Sequence, residues 1–208
     1  MTATESVTPR LVVAIDAAWA AIRARHAGVP EVVITLGAGS GGRQALRYGH
    51  FHDGTWQRGD VAMPELFVGG EGLERGPVPV LGTLLHEAAH GLAAARGVQD
   101  TSRQGRYHNE RFRALAGELG IDVAKDAALG WSVTAVPAAT AAVYRPQVDQ
   151  LAAAMVVFRH PNGSGSGRAG SNNGVAARCP CGRRIRVAES VLEAAPITCG
   201  ACGGAFTA

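Results

Sequence analysis

At 208 residues, 47% hydrophobic and 18% charged, the chain can bury one sizeable core and a small second module, and a soluble globular protein is expected. The polar start MTATESVTPR has no basic region followed by an apolar core, and no run approaches the ~20 apolar residues that span a bilayer, so the expectation is a cytoplasmic protein with no membrane partner. A net charge of +3 and a pI near 8.9 permit nucleic acid as a partner without arguing for it.

Thr8 reads as an N-cap with Pro9 at the first helical position, and Leu11, Ile15, Ala18, Trp19 and Ile22 then share one face of a helix that Gly28 and Pro30 close. EVVITL (31–36) reads as a short buried strand, and GAGSGG (37–42) as a flexible turn that lacks the Lys-Ser/Thr of a phosphate loop. LRYGHFH and ELFVG, within 46–68, read as antiparallel strands joined by the turn-rich DGTWQRGD. Pro77 and Pro79 introduce a helix from about Val80 to Ala95, closed by Gly97. DTSRQGRYH follows as a polar loop. An amphipathic helix from about Asn109 to Leu119 then sets Phe112, Leu115, Ala116 and Leu119 on one face. GWSVTAV reads as extended, and a helical stretch restarts at Pro146 and runs to about Phe158. PNGSGSGRAGSNNG (161–174) is a flexible linker by composition, which divides the chain into 1–160 and 175–208. The second part is too short for an ordinary hydrophobic core and needs a staple.

Within the Val80–Ala95 helix, LLHEAAH carries chemistry. Residues four apart stand on one helix face, so His86 and His90 can present both imidazoles to one metal ion, while Glu87 projects about 100° away. Glu87 is thus placed to reach a water on that metal rather than to ligate it, which is the arrangement of a zinc peptidase. The bland alternative is an apolar helix with two satisfied core histidines. A metzincin continuation would need Gly and His where Ala93 and Arg96 stand, which excludes that branch. Spacing leaves the third ligand open between His108 and Glu110. His50 and His52 share a strand face and are expected to flank the cleft.

All four cysteines lie near the C-terminus. Cys179 and Cys181 face Cys199 and Cys202 across RRIRVAESVLEAAPIT, and each pair ends in a glycine free to take a positive φ. Four thiolates make a closed tetrahedral site, so a structural zinc is expected in preference to local disulfides or a redox dithiol. Arg178, Arg183, Arg184 and Arg186 against Glu189 and Glu193 give this module +2. The loop and helix 96–113 carry five arginines against Asp100 and Glu110, a net +3, so both regions can contact phosphate, although such clusters are most often a solvated face.

TLLHEAAH, a loop, and then YHNERFRALAGELGI resemble the SprT-like (Spartan-related) metallopeptidase domain, in which an HExxH helix is followed by a histidine just before a phenylalanine-containing helix. LRYGHF and ELFVGGEGL resemble that family's strands, and the cysteine module resembles the zinc ribbon of its bacterial members, so the resemblance covers residues 10–135 and the C-terminus. Two departures stand beside it: residues 91–107 make a longer connection, and Tyr107 occupies the place of the usual glycine. The resemblance implies an α+β fold, with a zincin-like domain whose HExxH helix packs on a small antiparallel sheet, plus the ribbon. It makes His108 the third ligand and Glu87 the catalytic residue, with one catalytic and one structural Zn2+. The implied activity is a zinc endopeptidase acting on protein substrates, including proteins attached to DNA. The competing expectation is a non-catalytic nucleic-acid or transcription-associated zinc protein, against which a well-placed Glu87 argues. A deformylase would need an upstream cysteine ligand, and none precedes Cys179.

Overall fold

The computed structural model describes residues 6–39, 46–161 and 174–208. The linker expected at 161–174 therefore lies almost wholly outside the described residues, as does the second half of the turn expected at 37–42. The chain divides into two compact units between Ser164 and Gly165, inside that expected linker. It is a mixed α and β protein with small sheets. Among the described residues no helix is long and apolar enough to cross a membrane.

In the first unit, helix α1 spans Val7–Arg25, with Ser6 rather than Thr8 at its cap, and buries Leu11, Ile15, Ala18, Trp19 and Ile22 as their spacing requires. Strands β1 (Val33–Gly37), β2 (Gly49–Arg58) and β3 (Val61–Gly69) form a sheet in the order β1-β3-β2. This sheet is mixed, not antiparallel as expected. β2 and β3 form a hairpin, but β1 enters on the far side of β3 and runs parallel to it. The turn expected across DGTWQRGD shrinks to Gly59 and Asp60, because residues 53–58 stay extended as an exposed ribbon, with a bulge between His52 and Trp56. A 3-10 turn, Gly70–Arg75, leads into helix α2, Pro77–Ala95. α2 starts a turn earlier than Val80 because Pro77, with φ preset, takes the first helical position.

Residues 101–108 were expected to be loop and instead form a hairpin of two-residue strands, β4 (Thr101–Ser102) and β5 (Tyr107–His108), whose turn puts Arg103 and Gln104 at φ 51 and 59°. Helix α3, Glu110–Glu118, is capped by the Asn109 side chain, which accepts from Arg111 and Phe112 N–H. Strand β6, Asp122–Asp126, is an unexpected edge strand paired with β7, Gly130–Ala135, and the second sheet runs β4-β5-β7-β6. A short helix, α4 (Ala138–Val143), was not expected, and α5 (Arg145–Ala154) is the helical run expected from Pro146, ending before Phe158.

α2 is apolar around most of its circumference, and it is buried accordingly. The first sheet covers one side and helices α1, α3 and α5 the others, and Val80, Leu81, Leu84, Leu85, Ala88, Ala89 and Leu92 have almost no exposure. α1 is tied to the chain around α5 by Arg10 on the Ala153 carbonyl, Arg25 on the Val143 carbonyl and His26 on the Tyr144 hydroxyl. The histidines of LLHEAAH therefore sit on a rigid central rod.

The second unit pairs β8 (Val175–Arg178) with β9 (Arg184–Val187) in an antiparallel hairpin, followed by the short helix α6 (Glu189–Ala194). Single bridges join Arg178 to Thr207 and Thr198 to Ala205.

Stability should track this burial. Ile15→Ala, at a fully buried site, is expected to destabilise the first unit by about 2–5 kcal/mol in denaturant unfolding. Removing the exposed Arg145–Asp149 pair, with side chains 73% and 60% accessible, should change stability by no more than about 0.5 kcal/mol.

Candidate metal centre and active site

α2 presents His86 and His90 from one face, and the hairpin after it brings His108 against them. The Nε2 atoms of His86 and His108 are 3.2 Å apart, as are those of His90 and His108. These three residues form one of two groups among the described residues whose donor atoms all lie close enough to hold a single metal ion. Phe112, fully buried on α3, forms the floor, its ring centroid 4.7, 4.8 and 4.5 Å from those of His86, His90 and His108.

The hydrogen bonds behind the rings fix what the Nε2 atoms offer. His108 Nδ1–H donates to the Leu129 carbonyl at 3.2 Å, and His90 Nδ1–H donates to Asp100 Oδ2 at 2.5 Å. A carbonyl can only accept, so the proton of neutral His108 is on Nδ1, and a carboxylate imposes the same tautomer on His90. Their Nε2 lone pairs then point at each other. A cation between them would satisfy both lone pairs.

Electrostatics agree. Burial, then the neighbouring His90 and His108, holds the pKa of His86 well below the ordinary histidine value, and burial followed by His90 lowers that of His108. For His90, burial opposes the charge, but the Asp100 hydrogen bond and the negative charge of Glu87 outweigh it and the pKa is raised. Glu87 and Asp100 are both buried, and no lysine or arginine among the described residues ion-pairs with either. Two buried carboxylates beside three clustered imidazoles suit a divalent cation. The donor set thus fits zinc.

Glu87 stands outside the three-histidine group. Its Oε2 accepts the Phe51 N–H at 2.8 Å, and burial raises its pKa against the opposing pull of His90 and of that N–H. The start of β2 makes the room: a Cβ on Gly49 would lie 2.5 Å from Thr83 Cγ2 and 2.8 Å from Glu87 Oε1. Glu110, the other candidate third ligand, is occupied elsewhere. Its Oε1 accepts the Trp131 indole N–H at 2.8 Å, and its Oε2 pairs with Arg113 at 3.3 Å. His52 is held through Nδ1 by Thr55 Oγ1 at 2.7 Å, with the half-buried His50 ring centroid 5.9 Å away. The Arg103 guanidinium lies 4.7 Å over the Tyr107 ring.

Several residues that build the site carry no sequence signal of doing so. Asp126 Oδ1 accepts from Ala128 and Leu129 N–H, which fixes the turn whose Leu129 carbonyl holds His108 twice, through N–H at 2.9 Å and through Nδ1. Gly130, at φ 74°, lies directly against the His108 carbonyl, where any side chain would collide. Asp100 follows no spacing rule at all.

In the second unit the cysteines form the other metal-competent group. Cys179 Sγ lies 3.0 Å from Cys181 Sγ and 3.2 Å from Cys202 Sγ, and Cys181 Sγ lies 3.8 Å from Cys199 Sγ. Gly182 and Gly203 take φ of 87 and 72° and close the two turns, donating their N–H groups to the carbonyls of Cys179 and Cys199. The Ala201 N–H leads in lowering the Cys199 pKa to about 6, whereas the hydrogen bond with Cys181 leads in raising that of Cys179 to about 12. Four sulfurs this close, some already drawn toward thiolate, fit a tetrahedral cation.

No model of a known protein family, no curated protein and no solved structure matches this chain. Functional inference therefore rests on the two clusters themselves.

The ligand assignment separates His108 from Glu110. His108→Ala should remove the metal of the first unit, or weaken it sharply, while Glu110→Ala leaves it in place. Zinc content after gel filtration, with the cysteine-bound ion as internal reference, measures both.

Proposed function

We propose that the chain is a zinc metallopeptidase of SprT-like type, with a zincin-like first unit and a zinc ribbon as the second, cleaving peptide bonds in protein substrates. The observation that carries this reading is the pairing of three convergent imidazole Nε2 atoms with a buried carboxylate, Glu87, one residue along the same helix. A structural metal site has no use for such a carboxylate. His86, His90 and His108 would hold the zinc, and bound zinc supplies Lewis acidity that draws the pKa of a water toward ~7 and polarises a carbonyl.

Glu87 moves the proton. Its carboxylate takes a proton from the attacking water and passes it to the nitrogen of the departing amine. Burial raises its pKa, which brings its basicity closer to a working pH near neutrality. The Phe51 N–H restrains the carboxylate's direction, and Gly49 lets it sit against the strand. Among the described residues β2 is an edge strand, paired with β3 alone, so the strand that carries these contacts also offers backbone groups to an extended peptide.

Association with DNA is part of the proposal. The register Ala176↔Arg186 and Arg178↔Arg184 puts Arg178, Arg184 and Arg186 on one face of the β8–β9 hairpin, a three-arginine surface suited to a phosphate backbone. Arg103 and Arg106 flank the turn beside Tyr107 and His108. The same arginine face favours a second reading, a non-catalytic nucleic-acid-binding protein whose histidine site only stabilises the fold. Replacing Arg178, Arg184 and Arg186 together with alanine should weaken DNA binding and reduce its salt dependence by about three charges while both metals stay bound.

Glu87→Gln decides between the readings. It keeps the shape and leaves all three histidines in place, so zinc content and thermal unfolding should barely change. Proteolysis should fall by about 10² to 10⁴. A variant that cleaves as well as wild type, or a wild-type chain that cleaves no protein with or without single-stranded DNA, would leave only the binding-protein reading.

A further inference from the structure

α2 ends at Ala95, and Gly97, at φ 63°, turns the chain so that Asp100 comes back against the helix it has just left. There its side chain is buried at 8% residue exposure and reaches His90 Nδ1 at 2.5 Å. The same residue faces the other way through its main chain. Its carbonyl accepts the Asn109 N–H at 3.0 Å, and the Asn109 side-chain amide donates to the adjoining Gln99 carbonyl at 2.9 Å. Asn109 follows His108 and caps α3, the helix that carries Phe112 beneath the rings.

One residue thus touches both halves of the histidine cluster. Its carboxylate sets the tautomer and ring direction of His90, and its backbone anchors the strand that delivers His108. The partner behind His108 is a neutral carbonyl, whereas the one behind His90 is a carboxylate, which adds negative charge to the site as well as direction.

We propose that Asp100 is the positioning residue of this centre and sets its metal affinity through His90, joining the helix ligands to the hairpin ligand. This rests on the metallopeptidase reading for the presence of the metal. It adds a residue that touches neither metal nor substrate. The hairpin at 101–108 gains a purpose by it: Asp100 at its root and His108 at its end are held in fixed relation by the β4–β5 pairing of Thr101 with His108.

The test uses the full-length chain loaded with Co2+, where thiolate charge-transfer bands report the cysteine site and the ligand-field bands added by the second cobalt, without further charge transfer, report the histidine site. Competition with a chelator gives each affinity. Asp100→Ala should weaken the histidine site by about 10- to 100-fold and alter its ligand-field bands, with the thiolate bands unchanged. Asp100→Asn keeps an acceptor for the His90 Nδ1–H and loses only the charge, so it should recover part of that loss. Both variants holding cobalt at the histidines within twofold of wild type would overturn the proposal. So would a loss in Asp100→Ala through collapse of the unit, with Asp100→Asn at wild-type affinity, because the role would then be packing. A wild-type chain that takes up cobalt at the cysteines alone overturns the metallopeptidase reading together with this proposal, and a stoichiometry of one cobalt per chain in wild type separates that outcome from the others.

Discussion

Three imidazole Nε2 atoms gathered at one point hold together only when a proton or a metal cation stands between them, and the first unit is organised to keep them there. Free side chains would turn away. Here they cannot, because each ring is fixed from behind or below: His90 by Asp100, His108 by Leu129, and all three by contact with Phe112. Such preorganisation needs a stiff support. α2 supplies it by being buried nearly all round, so that the cluster inherits the rigidity of the main core.

The second unit solves a different problem. With Ala177 the one fully buried aliphatic residue among those described and short strands of four residues each, it has too little apolar surface to hold itself together. Its buried core is instead made of sulfur: Cys179 and Cys199 are buried, and the turns that carry the cysteines fold their backbone N–H groups onto nearby carbonyls. A cation there would act as folding energy, whereas in the first unit the fold stands on hydrocarbon and the cation would serve chemistry. One chain thus carries two metal-competent clusters that relate to their surroundings in opposite ways.

What the sequence revealed follows from which features are local. The i, i+4 histidines and the turn glycines Gly182 and Gly203 depend on a few neighbouring residues, and all were legible. The face of α1 was legible too, since a period of 3.6 is unambiguous over 19 residues. The β4–β5 hairpin was not, because two-residue strands show no alternation and the polar TSRQGRYH looks like any loop. DVAKD was missed as a strand because an edge position lets charged residues face water. Asp100, Leu129 and Gly49 were invisible for a stronger reason. Their roles exist only once distant segments meet: a backbone carbonyl leaves no mark in residue type, and a glycine does not tell which neighbour its missing Cβ admits.

In the proposed reading Glu87 carries the functional weight, and its placement is costly. A carboxylate at 5% exposure, with no basic ion-pair partner among the described residues and a single backbone N–H to satisfy Oε2, is less stable than a leucine of similar volume would be. The surrounding chain has adapted to keep it: Gly49 gives up a side chain to admit it, and β2 turns a backbone donor toward it. A helix whose histidines merely held a structural ion would be relieved of that cost by almost any apolar residue at position 87, since the ligands stand at 86, 90 and 108. Retaining a destabilising charge beside a site built to attract a cation makes sense when the charge has a proton to carry.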